Sequence, residues 1–548
     1  MGSKFSIWES RSSKVPQSLT DIESIVMQNR SFEAVDRLNY GDHGLADVVE
    51  TIRQAIEANQ RIALYADYDV DGTMSCVSWI WFLQEIGFDN YVHYIPCRFK
   101  EGYGLNLDAV KYLIEEEKAD VIITMDTGIT ANEEAAFCKS RGVKFICTDH
   151  HMVQKDQMPD CLILNPKFHP EPIYQELCGC GITFVLLRKL AADFEVSADV
   201  WTDLLALAGM ATICDVVPLN GVNHQLAKLG VGAISRSKRN VLVTLRKACA
   251  ITTGVNETDV GFRLGPRINA VGRLEHADKV IGAFIDEKPD ELVEYMETCN
   301  EKRKKIQAKI FAQACELAER YKKDPVLFLG GDWHPGVVGI AASKLAEKYW
   351  KPVWLFNNTG EQCKGSARTV PGFNVTEAML SFRKLFDKCG GHAAAGGYSF
   401  AKGNEQEIRE QLNEYARAKM QEQPEIWVSR LPYDCKIPAE FLQLRAMDAL
   451  DDMRPFGHGF DEPKFLVEAE VVEIKYLNCR TTGEPLHSKI LLWNDNGKPI
   501  ELLFFQCLVE EALLDQKISA VVSLQRNNFR GRESLQLIGY DYAVAADS

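Results

Sequence analysis

No stretch of the 548-residue sequence approaches eighteen uninterrupted apolar residues, so no membrane-spanning helix is expected. A secretory core is missing as well, since residues 1–17 are polar. Met1-Gly2-Ser3-Lys4-Phe5-Ser6 fits the short myristoylation pattern, but that pattern needs a eukaryotic transferase, and a plain polar start is the simpler reading. There is no C-x-x-C among the 16 cysteines, and only Cys178 and Cys180 stand close together. That scatter argues against a disulfide framework and against a zinc ribbon. Cys76, Cys147, Cys214 and Cys315 lie in apolar runs as small hydrophobes, which suits a reducing compartment and predicts a cytoplasmic protein. Internal repeats and low-complexity segments are lacking too. Positive charge is scarce: 62 Lys and Arg against 77 Asp and Glu leave a net charge of −15. That balance alone disfavours a nucleic-acid partner, unless a local basic groove or bound divalent cations overturn it.

What is present is a globular composition, 46% apolar and 25% charged, in a chain long enough for two to four domains. Residues 61–66, 119–125 and 143–147 are continuous apolar runs separated by helical patterns, the signature of a buried parallel sheet. The fold class of this region is therefore α/β. Residues 288–323 turn charged and helical, with Val293, Met296, Ile306, Ile310, Ala314 and Leu317 near helical spacing, and read as a long connecting helix. A second, smaller α/β region opens at Pro325, with strands at 326–329 and 352–356 around a helix over 336–348. Beyond Pro455 come five short runs, 464–475, 489–493, 499–507, 518–525 and 534–542, which predict a small closed β-barrel of OB-like type. The expected boundaries are 1–287, 288–323, 324–425, a linker over 426–463, and the barrel over 464–548.

The chemistry gathers at strand ends. Asp67, Asp69 and Asp71 fall at alternate positions just past the first strand; in an extended chain they would share one face and repel unless a cation neutralised them. A solvated turn, or an N-cap role for Asp71, is the plainer alternative. Asp126 closes the second strand, Asp149-His150-His151 closes the third, and Asp215 follows the apolar helix over 204–214. In open parallel sheets, ligands bind outside the carboxyl ends of the strands, so these groups are placed to converge. Carboxylates with one imidazole suit Mn²⁺ or Mg²⁺, and two such ions roughly 3.5–4 Å apart activate water against a phosphodiester.

Asp67-Tyr68-Asp69-Val70-Asp71-Gly72 together with Asp149-His150-His151 resembles the DHH phosphoesterase superfamily. Arg98-Phe99-Lys100-Glu101-Gly102-Tyr103-Gly104-Leu105, Thr212-Ile213-Cys214-Asp215-Val216-Val217-Pro218-Leu219 and Gly265-Pro266-Arg267-Ile268-Asn269-Ala270-Val271-Gly272-Arg273 are similar to segments of its branch of single-strand-specific DNA exonucleases. Gly365-Ser366-Ala367-Arg368 and Gly390-Gly391-His392-Ala393-Ala394-Ala395-Gly396-Gly397 resemble the associated DHHA1 domain. The likeness runs over roughly residues 40–540, and its specificity lies in the number and order of the motifs.

The resemblance implies a DHH domain over 1–287, a DHHA1 domain over 324–425, and two Mn²⁺ or Mg²⁺ ions held by Asp67, Asp69, Asp71, Asp126, His150 and Asp215. Asp126 would bridge the ions and act with His151 as a catalytic residue. Arg98, Ser366 and Arg368 would hold a 5′-terminal phosphate, His392 would lie beside the scissile nucleotide, and Arg267, Asn269 and Arg273 would complete the substrate contacts; separately, Trp333-His334-Pro335-Gly336 opens a helix whose N-terminus would favour a phosphate, which makes His334 a further candidate. Guanidinium forks suit phosphate, and glycines let backbone N–H groups approach an anion. One departure stands four residues before Asp69, where many superfamily members have histidine and this chain has Tyr65. It leaves either a first ion held more weakly or a tyrosine buried in the core.

Arg526, Phe529, Arg530 and Arg532 form a basic-aromatic loop in the barrel, either a track for a single strand or a solvated hairpin tip. Lys302-Arg303-Lys304-Lys305 reads as an exposed charged face. The implied activity is hydrolysis of single-stranded DNA from its 5′ end, in repair and recombination, with single-strand-binding protein and a helicase as family-implied partners. The alternatives are a phosphoesterase for short oligonucleotides or cyclic dinucleotides, and an inactive replisome scaffold.

Overall fold

The computed structural model describes residues 5–35, 38–102, 104–152, 157–479, 483–493, 499–529 and 532–545. The myristoylation-like start therefore falls partly outside the described residues, as do Tyr103 and Arg530. Five parallel strands, in the order Tyr91–Tyr94, Ile62–Ala66, Val121–Met125, Lys144–Thr148 and Leu162–Leu164, form the sheet that the apolar runs predict. Pleating splits each strand between two cores. Ile62, Leu64 and Ala66 face the large cluster that includes the Val70–Glu85, Gly179–Leu190 and Ala198–Cys214 helices. Ala63 and Tyr65 face a smaller cluster with Leu107–Glu115 and Asn132–Ser140. Tyr65 is thereby a core residue: it is fully buried, stacks on Tyr94 at 5.4 Å, and its hydroxyl donates to the Gly104 carbonyl oxygen at 3.2 Å.

The connecting helix runs from Asp290 to Arg320 and buries Val293, Met296, Ile310 and Ala314, with Ile306 and Leu317 partly covered. It leads to a mixed five-stranded sheet, in the order Lys388–Gly391, Ala395–Ala401, Gln362–Arg368, Val353–Asn357 and Leu327–Gly331, whose last two strands are parallel. The Val338–Tyr349 helix joins those two. Downstream, Phe465–Asn478, Pro485–Leu492, Ile500–Phe504, Arg532–Val544 and Lys517–Phe529 form the expected barrel, closed where the first strand pairs with Lys517–Phe529. The N-terminal segment joins this end of the molecule. Ile7–Ser10 pairs with Arg430–Tyr433, and Ile22, Ile25 and Val26 of the Leu19–Asn29 helix enter the barrel's apolar cluster.

Candidate metal centre and anion pocket

The first acidic turn is not extended. Asp67 ends at the strand, Asp69 caps the next helix, and Asp71 lies within that helix's first turn. The capping residue is Asp69, whose Oδ1 accepts from the backbone N–H of Asp71 at 2.9 Å and of Gly72 at 3.3 Å. Both the shared-face picture and the N-cap role for Asp71 are corrected by this, because helical geometry begins at Val70. The turn is tight enough that a Cβ on Gly72 would lie 2.7 Å from the Asp67 nitrogen. Asp71 reaches across the fold instead: its oxygens accept from the N–H groups of Gly179 at 2.6 Å and Cys180 at 2.7 Å. These open the Gly179–Leu190 helix, where a carboxylate meets the positive end of the dipole.

Asp126 has φ +60, a left-handed backbone that is costly for a residue with a Cβ. Among the described residues, three groups of ligand-type side chains gather within 4.8 Å: Asp67, Asp69 and Asp126; Asp126, His150 and His151; and Asp71, His150 and Asp215. His150 Nε2 lies 3.1 Å from Asp126 Oδ1, 3.6 Å from Asp215 Oδ2 and 3.7 Å from Asp71 Oδ2. These are approaches without hydrogen-bond geometry: Asp67 Oδ1, Asp126 Oδ1 and His150 Nε2 are buried and have no hydrogen-bond partner. Buried polar atoms are normally satisfied, so orphaned atoms aimed at one another fit a hard divalent cation between them.

The electrostatics agree. Burial, followed by the neighbouring carboxylates, pushes the carboxyls of Asp67, Asp126 and Asp215 well above their ordinary range. Burial and Asp69 likewise push Asp71 up to about 7. Burial and the His151 charge lower His150 to about 3, leaving it neutral, the ligating form.

Asp149, which sequence reasoning left as a strand-closing acid, organises the adjoining loop. Its Oδ1 accepts from the N–H groups of His150 at 2.7 Å and His151 at 3.1 Å, and lies 2.7 Å from His151 Nδ1. Its Oδ2 accepts from Ile129 N–H at 3.0 Å. Burial alone would lower His151, but the Asp149 hydrogen bond and the nearby acids raise it overall.

Beside the acids lies a basic pocket. Arg98 stacks on Tyr68 at 5.1 Å. Arg368 Nη1 donates to Ser366 Oγ and to the Ala367 carbonyl, both at 2.7 Å, and a Cβ on Gly339 would lie 3.0 Å from both Arg368 Nη2 and Ser366 Oγ. Arg273 donates to the Gly336 carbonyl at 3.4 Å; burial, then the charges of Arg98, Arg368 and Arg303, bring it down to about 10. His334 lies edge-on to Phe99 at 5.5 Å, and burial lowers it. His392, in the turn between Lys388–Gly391 and Ala395–Ala401, stacks 6.0 Å from His151 across the gap between the lobes.

Other sequence candidates lie elsewhere or act differently. Asn269 Oδ1 accepts from Val70 N–H at 3.2 Å and so braces the acidic turn. Arg267 is committed to Glu297 and to the Arg263 carbonyl oxygen. Arg526 is a correction: its guanidinium is taken by Asp448, Asp451 at 2.6 Å and Glu533 at 3.3 Å, because the Ala446–Asp452 helix packs against its strand. Phe529 ends one strand and Arg532 opens the next, while Arg530 lies outside the described residues. Arg303, read as part of an exposed face, is half-buried and clamped by Gln307 Oε1 at 2.8 Å and Asn300 Oδ1 at 2.5 Å.

Known proteins share this architecture. The model for the DHH family, N-terminal domain, matches residues 61–211, that for the DHHA1 domain 323–418, and that for the RecJ OB domain 433–541. The chain is 33% identical over 515 residues to the single-stranded-DNA-specific exonuclease RecJ of Bacillus subtilis, covering 92% of this chain and 64% of that relative's length. Its counterpart of the same name in Haemophilus influenzae is 28% identical over 542 residues, covering 92% of this chain and 91% of the relative. The crystal structure of Thermus thermophilus RecJ in complex with Mn²⁺ superimposes with a TM-score of 0.84 at 25% identity, covering 99% of this chain and 80% of that one. With three domain models in this order and relatives aligned along 92% of its length, the chain belongs to the RecJ family of the DHH phosphoesterase superfamily.

Proposed function

We propose that the protein is a divalent-metal-dependent exonuclease that removes nucleotides from single-stranded DNA in the 5′→3′ direction. The observation that carries this reading is the overlap of three ligand groups at Asp126 and His150, directly beside a pocket of guanidinium groups. Asp67, Asp69, Asp71, Asp126, His150 and Asp215 would hold two Mn²⁺ or Mg²⁺ ions. When bound, the ions supply Lewis acidity to the scissile phosphate and lower the pKa of the attacking water.

The side chains then have separate tasks. Arg98, Ser366 and Arg368 grip the 5′-terminal phosphate, which sets the polarity by measuring one nucleotide from the end. His151, whose protonated form the Asp149 hydrogen bond favours, donates to the scissile phosphate, and His392 covers it from the opposite lobe. Water adds across the P–O3′ bond: the released nucleotide leaves with a 3′-hydroxyl, and the shortened strand carries a new 5′-phosphate. Each cut thus regenerates the group that the pocket grips, which favours repeated cutting without release.

The lobes at 1–287 and 324–425 form the walls of the groove, the Asp290–Arg320 helix spans them, and the barrel extends the path. The protein works in the cytoplasm, in repair and recombination, with single-strand-binding protein and a helicase supplying strands. The test is nucleotide release from 5′- and 3′-labelled single strands with Mn²⁺, Mg²⁺ or EDTA, beside Asp126→Ala. Metal-dependent release of the 5′ label, lost in the variant, is expected. Release from the 3′ end, or none with any metal, overturns the reading.

A further inference from the structure

Arg98 stands inside a turn that is closed twice. The Glu101 N–H donates to the Cys97 carbonyl oxygen at 2.8 Å, and the Cys97 N–H donates to Glu101 Oε2 at 2.6 Å. Between those two residues the turn reaches both lobes: Arg98 lies over the Tyr68 ring of the acidic turn, and Phe99 meets His334 edge-on. The other oxygen of Glu101 is also engaged. Its Oε1 accepts from the Tyr94 hydroxyl at 2.7 Å and from Asn106 Nδ2 at 2.9 Å. Beneath these contacts lies the edge of the parallel sheet, where Tyr94 stacks on Tyr65 at 5.4 Å and the Tyr65 hydroxyl donates to the Gly104 carbonyl oxygen at 3.2 Å. Backbone N–H, amide and phenol all donate to the one carboxyl, a demand that an ionised carboxylate meets because it only accepts.

We propose that Glu101, backed by Tyr94 and Tyr65, is a positioning residue of the anion pocket: it fixes the turn that carries Arg98 and so sets how tightly a 5′-terminal phosphate is gripped. The inference rests on the nuclease reading above, in which Arg98 takes that phosphate. Tyr65 precedes Asp67 by two residues at the end of the Ile62–Ala66 strand. One strand end therefore carries a metal-site acid and also supports the phosphate grip, which ties the spacing of the two to a rigid element. The tyrosine that stands where many superfamily members have histidine thus has a task of its own, outside the metal centre.

Two measurements test this, using the full chain and its Glu101→Gln, Tyr94→Phe and Tyr65→Phe variants. The first is hydrogen exchange in the metal-free protein. A glutamine amide cannot accept from both sides at once, so Glu101→Gln is expected to speed exchange in the segment 97–102 and to leave the rest of the chain as in wild type. The second compares binding of 5′-phosphorylated and 5′-hydroxyl oligonucleotides in EDTA, where nothing is cut. Glu101→Gln is expected to lose about ten-fold of the preference for the phosphorylated end, while calorimetry gives a wild-type affinity for Mn²⁺. Tyr94→Phe and Tyr65→Phe each remove one hydroxyl and are expected to lose less, in the same direction, so the proposal stays testable if Glu101→Gln folds poorly. A preference that survives in all three variants overturns the proposal, even if exchange quickens, because Glu101 would then only stabilise the turn. Equal weakening on both kinds of end overturns it too. A wild type without any preference for the phosphorylated end removes the phosphate role of Arg98 itself, and the proposal falls with it; a wild-type preference that the variants keep sinks the positioning role alone.

Discussion

Asp71 and Gly179, 108 residues apart in the chain, are joined by a 2.6 Å hydrogen bond from the glycine N–H to the carboxylate. The same glycine leaves room for the metal centre's central acid: a Cβ there would lie 2.8 Å from the Asp126 Cβ and 3.0 Å from Asp71 Oδ2. One backbone position therefore sets the spacing between two strand-end acids. The helix dipole behind it holds Asp71 in place, although Asp71 has neighbouring carboxylates that repel it.

Gly179→Ala is expected to disable the centre while leaving the fold standing. The extra methyl must push Asp126 or Asp71 aside by a few tenths of an ångström. Overpacking of this kind costs about 1–3 kcal/mol, and misplacing reacting groups by about 1 Å costs on the order of 100-fold in rate. Thermal unfolding and nuclease rates measured together check this. A variant with native activity would show that the spacing is not critical.

The left-handed backbone of Asp126 separates two roles of that residue. Asp126→Gly and Asp126→Ala both remove the carboxylate and should both abolish activity. Only glycine also relieves the backbone, so without metal Asp126→Gly should be more stable than Asp126→Ala by about 1 kcal/mol. Denaturant unfolding in EDTA measures the difference, and equal midpoints would argue that φ +60 costs nothing here.

Asp149 contacts no other acid of the cluster, yet it orients His151 and pins the loop carrying His150. Asp149→Asn keeps the size but removes a charge that raises the His151 pKa. Outer partners of this kind are worth about 10–100-fold in metal affinity or activity. The expected result is a loss in that range with an altered pH–rate profile on the side where His151 titrates. A loss of rate with an unchanged profile would mark Asp149 as a scaffold only.

Much of this was legible from the chain. Continuous apolar runs gave the parallel sheet, and acids at their ends gave the convergence, because strand ends in such a sheet face one site. What stayed hidden depends on distance in sequence. Nothing near Asp71 signals that its partner is the N–H of Gly179, and nothing near Arg526 signals three carboxylates, two of them from the Ala446–Asp452 helix. Arg303 was misread for a related reason: Lys302 and Lys304 beside it are charged, while the amides that bury it lie three residues before and four after, on one helical face. Tyr65 left two readings open; its place on the sheet face opposite the Val70–Glu85 helix, beneath Leu107–Glu115, resolves them in favour of the core.

Metal binding should be tied to pH through the same buried acids. Without metal, the Asp71 carboxyl is raised to about 7 in the folded protein, from an unfolded value of about 3.9. Its neutral form therefore contributes stability that is complete below about pH 4 and is lost as pH rises through about 7, at about 1.4 kcal/mol per pH unit for each such group. Asp67, Asp126 and Asp215 shift in the same direction. His150, lowered to about 3, stays neutral in the folded protein while its unfolded counterpart loses its proton near 6.5, so below about pH 6.5 it opposes this trend as a single group against the four raised acids. Ligation requires the ionised carboxylates, so Mn²⁺ must displace protons and bind more tightly as pH rises. The unfolding temperature in EDTA should fall between about pH 5 and 7.5, and the stabilisation by Mn²⁺ should grow over the same interval. Calorimetry in two buffers of different ionisation enthalpy should show protons released on binding. A metal-induced shift that is constant across that range, with no proton release, would mean that these carboxyls are already ionised in the metal-free protein.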